Sequence, residues 1–85
     1  MNLQIKQVGP NRTELLIKSP SGETRIFFSY ETAVAGYSAD VGYFRTATYH
    51  SVTTSKHIGQ WLRAEGQNPK TVAELTEEKI QAMVG

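Results

Sequence analysis

Between Tyr43 and Leu62 the chain changes its hydrophobic period, and that switch constrains the fold more than any other feature. Up to His50 the residues alternate, with Phe44, Thr46 and Thr48 opposite Tyr43, Arg45, Ala47 and Tyr49, the period of two that a pleated strand imposes. From about Ser55 the apolar positions fall at Ile58, Trp61 and Leu62. The spacing i, i+3, i+4 gathers them on one face of a helix. Residues ahead of the switch pattern as sheet, and residues beyond it as helix packed on that sheet.

Three alternating runs come first. Leu3 and Ile5 alternate with Gln4 and Lys6; Leu15 and Ile17 with Glu14, Leu16 and Lys18; Ile26, Phe28 and Tyr30 with Arg25, Phe27 and Ser29. Gly9-Pro10-Asn11-Arg12 and Ser19-Pro20-Ser21-Gly22 separate them, and both are rich in residues that fix or tolerate turn dihedrals. Short turns between alternating runs predict an antiparallel meander. Thr32 to Tyr37 is a candidate fourth strand, and Ser38 to Gly42 reads as an exposed loop.

Thr53 or Thr54 is placed to cap the helix, and Gly66 to end it in a left-handed conformation. Gly59 stands in the helix interior, where glycine costs about 1 kcal/mol relative to alanine, and a close approach of helix to sheet would account for it. Beyond Asn68-Pro69, Thr71 to Glu74 has capping-box spacing. Thr76 followed by Glu77 and Glu78 reads as a further helix start, with carboxylates at the positive end of the dipole.

The expected fold is α+β: an antiparallel meander of four to five strands, one main helix over 54–65 on one face, and a short C-terminal helix covering an edge or extending that layer. With 85 residues this is one domain. Its expected core is Leu3, Ile5, Leu15, Ile17, Ile26, Phe28, Phe44, Ile58, Trp61 and Leu62.

Composition removes several functions. No apolar run approaches the roughly 18 residues of a membrane span, and the first residues lack the apolar stretch of a signal peptide, so a cytoplasmic location without membrane contact is expected. The absence of cysteine removes disulfides and thiolate zinc sites. Nine Lys or Arg against eight Asp or Glu leave a net charge of +1, too balanced to predict nucleic-acid binding from bulk charge. His50 and His57 are separated by an element change and lack an obvious third ligand, so they read as local hydrogen-bonding residues rather than a metal pair. No nucleophile motif, Gly-rich phosphate loop or cofactor fingerprint is present. The expectation is a non-enzyme with no cofactor and no metal.

Two surfaces are candidates for binding. Arg25 and Phe27 share strand parity, as do Tyr43, Arg45 and Tyr49; with Lys56 they would give a sheet face of cations and aromatics, the combination single-strand binders use. The bland reading is an ordinary exposed face. Ser51, Thr53, Thr54 and Ser55 beside Lys56 and His57 could hold an anion at the helix start, although capping alone explains the hydroxyls.

Ser29-Tyr30-Glu31-Thr32-Ala33-Val34-Ala35, and Tyr49 to Ile58 followed by Trp61-Leu62, resemble a group of small proteins encoded mainly by bacteriophages and prophages. Those carry S-Y-x-T-x-V-A and then Y-x-S-x-T-T-x-x-H-I-x-x-W-L. The resemblance covers the middle of the chain and implies a phage context, with no activity to carry over. The leading expectation is therefore an accessory protein that binds a host or phage protein. The alternative is a nucleic-acid-binding accessory protein acting through the basic and aromatic sheet face.

Overall fold

The computed structural model describes residues 2–84. Its strands are β1 (Asn2–Gly9), β2 (Arg12–Ser19), β3 (Gly22–Ser29), β4 (Thr32–Ser38), β5 (Gly42–Thr46) and β6 (Ala73–Leu75); its helices are α1 (Val52–Ala64) and α2 (Glu77–Val84). The six strands form one sheet in sequence order, with β1 to β5 an antiparallel meander. β6 pairs parallel to β5, Phe44 opposite Ala73, because α1 carries the chain back across the sheet before it re-enters. The fold is α+β as expected, with six strands rather than four or five. The extra strand is Ala73–Leu75, where the capping-box spacing from Thr71 predicted a helix start. No helix among the described residues is long and apolar enough to cross a membrane.

The sheet is covered on both faces, but only over part of its width. α1 lies on one face, where Ile58, Trp61 and Leu62 pack with Phe27, Val34 and Ala35. α2 lies on the other, where Ile80 packs with Ile26, Ala33 and Phe44. A bulge lets both Val34 and Ala35 join the α1 cluster: Phe27 pairs with Ala35 and Phe28 with Ala33, leaving Val34 as the extra residue. Phe27, which alternation placed on the exposed face, is 1% exposed because α1 sits on that face, while Phe28 is only half-buried. Leu3 and Ile5, expected in the core, are exposed, and Leu15 and Ile17 are half-buried. The helices reach only part of β2, where Arg12 and Glu14 meet α1 and Leu15 packs beside the α2 cluster, and leave Leu3 and Ile5 uncovered.

Local signals explain the ends of α1. Its N-cap is Ser51, whose Oγ accepts from Thr54 N at 3.1 Å; the helix thus begins before Thr53 and Thr54, and β5 stops at Thr46 rather than His50. Gly66 has φ +76 as expected. Gly66 N donates to Arg63 O and Gln67 N to Leu62 O, the paired bonds of a Schellman ending. In α2, Thr76 Oγ1 accepts from Lys79 N, as its sequence position predicted. Gly36 lies across from Phe44, and a β-carbon there would stand 2.6 Å from Phe44 Cζ, so the ring occupies the space a side chain would need.

Candidate functional site

The residues expected to form one binding face divide among four environments. Phe27 is core and stacks on Trp61 with ring centroids 5.6 Å apart. Arg25 and Tyr43 belong to an internal network. The Arg25 guanidinium bonds to Glu65 and to Tyr43 Oη at 2.9 Å, pairs with Glu23, and lies 5.4 Å from the Tyr37 ring centre; Tyr43 Oη in turn donates to Glu65 at 3.0 Å. Burial works to lower the Arg25 pKa, but the bonds to Glu65 and Tyr43 outweigh it and hold the guanidinium above its usual value. This network ties the C-terminal end of α1 to β3 and β5. The sheet-face surface built on Arg25, Phe27 and Tyr43 is thereby corrected: α1 covers it.

His57 looks toward the β1–β2 turn. Its Nδ1 is 2.9 Å from Ser29 Oγ, and Ser29 donates to Thr54 Oγ1 at 3.3 Å. One hydroxyl hydrogen cannot serve both contacts, so Ser29 accepts from Nδ1–H and the neutral imidazole leaves Nε2 free of hydrogen. Burial, and then the positive charge of Arg12, push the His57 pKa below its ordinary value. Arg12 Nη1 donates to Gln60 Oε1 at 2.8 Å, fastening the hairpin onto α1. Trp61 Nε1 donates to Glu14 at 3.0 Å in the same region. His50 is engaged elsewhere, its Nε2 lying 2.5 Å from Glu77 Oε1. The two histidines serve separate contacts.

Arg45, Tyr49 and Lys56 do come together. They line a groove of about 370 Å³ between the β5–α1 connection, α1 and the loop after it. Arg63 and Lys70, which the sequence reading passed over, complete it. The Lys56–Arg63 spacing of seven residues, two helical turns, was the available signal. Lys70 is fixed by a tight turn in which Asn68 Oδ1 accepts from Lys70 N at 2.9 Å and Asn68 O from Thr71 N at 3.0 Å. Gly59 forms part of the groove wall; a β-carbon there would meet Arg63 Nη1 at 3.0 Å, its nearest neighbour. The glycine accommodates the Arg63 side chain rather than a close approach of helix to sheet.

The remaining surface is at the opposite end of the sheet. β1 is an edge strand, exposed from Asn2 to Val8, with Leu3 62% and Ile5 77% exposed. In register, Leu3 faces Ile17 and Ile5 faces Leu15, so the apolar side chains form a strip across β1 and β2. It runs on toward Phe28 and Tyr30, which with Ile5, Thr13 and Leu15 line a shallow depression of about 250 Å³. Tyr30, at the tip of the β3–β4 hairpin, is held at φ +58, a conformation bulky side chains rarely adopt.

A family model described as a family of unknown function, DUF8033, matches residues 1–80. The chain belongs to that family. No curated protein and no solved structure matches it. Membership in DUF8033 therefore covers both the β1 edge and the basic groove without assigning a role to either.

Proposed function

We propose that this DUF8033 chain is a non-enzymatic interaction module, a cytoplasmic accessory protein of phage type. It engages a host or phage protein by accepting one of that protein's strands along the free edge of β1. The observation that carries the reading is the edge itself: an eight-residue strand whose only charged residue is Lys6, with Leu3 and Ile5 62% and 77% exposed. The outer N–H and C=O groups of an edge strand lack sheet partners, and an added strand satisfies them. The apolar strip of Leu3, Ile5, Leu15 and Ile17 gives that strand alternate side-chain contacts. Edges meant to stay free are commonly short or broken by charge and proline; β1 is long and carries one lysine.

The test is capture from a bacterial lysate by the parent chain and by the double variant Leu3→Lys/Ile5→Lys, followed by amide exchange of the parent complex. The expected result is a protein retained by the parent, lost by the variant, and protecting the β1 amides. Equal retention by the variant, or protection confined to other elements, would reject the edge as the docking site.

A further inference from the structure

The basic groove lies at the end of the sheet away from β1, and its charge is not neutralised internally. Arg45, Lys56, Arg63 and Lys70 line it, four of the chain's nine Lys and Arg residues. None of the four has a carboxylate within 4.0 Å among the described residues, where such carboxylate contacts involve Arg25 and His50. The carboxylate nearest in register is Glu74, opposite Arg45 on β6; it is exposed and does not line the groove. The first turn of α1, which contributes Val52 and Ser55 to the groove, contains no acidic residue. Arg45 also reaches toward Pro69 O at 3.5 Å, so the β5 end of the groove and the loop carrying Lys70 are held together.

Two further features narrow the ligand. Tyr49 is 71% exposed at the groove, an aromatic face left in water beside a row of cations. Lys56 and Arg63 are two turns apart on α1, about 10.5 Å along its axis, so the charge forms a track longer than one small anion needs. A concave track also does not suit a duplex, whose grooves are read by protruding helices or ribbons. Cations along a slot together with an exposed ring are the combination that grips a phosphodiester backbone and stacks an unpaired base.

We infer that this groove binds single-stranded nucleic acid, with Arg45, Lys56, Arg63 and Lys70 on successive phosphates and Tyr49 stacking a base. This activity is independent of strand addition at β1. Gly59 lies in the groove wall, with the Arg63 guanidinium over it.

Fluorescence anisotropy with labelled ten-nucleotide oligo(dT) and oligo(U) tests it, against a duplex of the same length and a poly-glutamate peptide. The DNA and RNA arms separate the two sources of the shared backbone chemistry. Three or four phosphate contacts predict that raising salt from about 50 to 200 mM weakens single-strand binding about 20- to 50-fold. Tyr49→Ala should weaken it at least about fivefold while leaving most of the salt slope, since stacking is not ionic. The triple variant Lys56→Gln/Arg63→Gln/Lys70→Gln should remove most of the slope, whereas Lys6→Gln/Lys18→Gln, cations at the far end of the sheet, should change little. Gly59→Ala should raise the denaturation midpoint, as alanine favours the helix, and leave single-strand affinity nearly unchanged, because the flexible end of Arg63 need give only a few tenths of an ångström. The Leu3→Lys/Ile5→Lys variant should bind oligonucleotide at least as well as the parent, which keeps this test separate from that of the β1 edge. Binding to poly-glutamate or duplex as tight as to the single strands, or equal losses from the groove and far-end lysine variants, would overturn the assignment. So would full affinity in Tyr49→Ala with circular dichroism unchanged.

Discussion

β1 and β3 are both eight-residue strands with apolar positions in alternation, yet they meet opposite fates. Ile26 and Phe27 in β3 are 0% and 1% exposed, on opposite faces, because α2 covers one and α1 the other. Leu3 and Ile5 in β1 remain largely in water. Alternation fixes which side chains share a face; it does not say whether anything lies on that face. Two helices of 13 and 8 residues suffice to cover the centre of this sheet, reach only part of β2 and leave β1 largely bare. The uncovered part is the edge at which we propose that a partner strand adds, and the covered part is what holds that edge in place.

The contrast breaks most sharply under truncation. Phe44→Ala removes a 0%-exposed ring from beneath α2 and should destabilise the chain by about 3–5 kcal/mol, read as a lowered urea midpoint. If Phe44→Ala cost no more than a surface change, the centre of the sheet would not be the core. Gly36→Ala forces a methyl toward the Phe44 ring and the Arg25 carbonyl and should cost about 1–3 kcal/mol by overpacking. Ser51→Ala removes the oxygen that accepts from Thr54 N and should cost about 1 kcal/mol in the same assay.

Acidification sharpens the comparison at the junction between the halves, where His57 sits against Ser29 and Arg12. Its folded pKa is depressed, so the unfolded chain binds the proton more readily; the neutral imidazole's contribution is complete above the unfolded value of about 6.5 and is lost as pH falls below it. His57→Asn, whose amide keeps a polar atom near the Nδ1 position, should flatten the dependence of the urea midpoint between pH 8 and pH 5. An equally steep dependence in the variant would place its origin elsewhere. The smallest effect is expected at the bare end: Ile5→Ala should change stability by no more than about 0.5 kcal/mol, because a 77%-exposed side chain has little burial to lose. A larger loss in dilute solution would mean that β1 is already covered by something, and light scattering would show whether that is a second copy.

The candidate sites were legible to different depths. Arg45, Tyr49 and Lys56 were singled out by residue type and do share a groove, but Arg63 joins them through helical periodicity and Lys70 through a turn built on Asn68. Arg25 and Tyr43 looked like binding residues for the same reason; their partner Glu65 is 40 positions beyond Arg25, a pairing that no local pattern announces. Gly59 looked like a packing glycine and proved to be part of a wall.

By itself the sequence determined the local elements. Its periods set the meander and α1, Gly66 set the left-handed helix end, Thr76 with Glu77 and Glu78 set the start of α2, and Ile58, Trp61 and Leu62 set the face that α1 buries. These are decided within a few residues, by dihedral preference, capping and spacing. Only the tertiary structure decided that Ala73–Leu75 would become a sixth strand, that α2 would land on the face opposite α1, and that Phe27 rather than Leu3 or Ile5 would be core. The physical reason is that burial belongs to a pair of surfaces. Each strand carries its own alternation, but what covers it depends on where elements far along the chain come to rest.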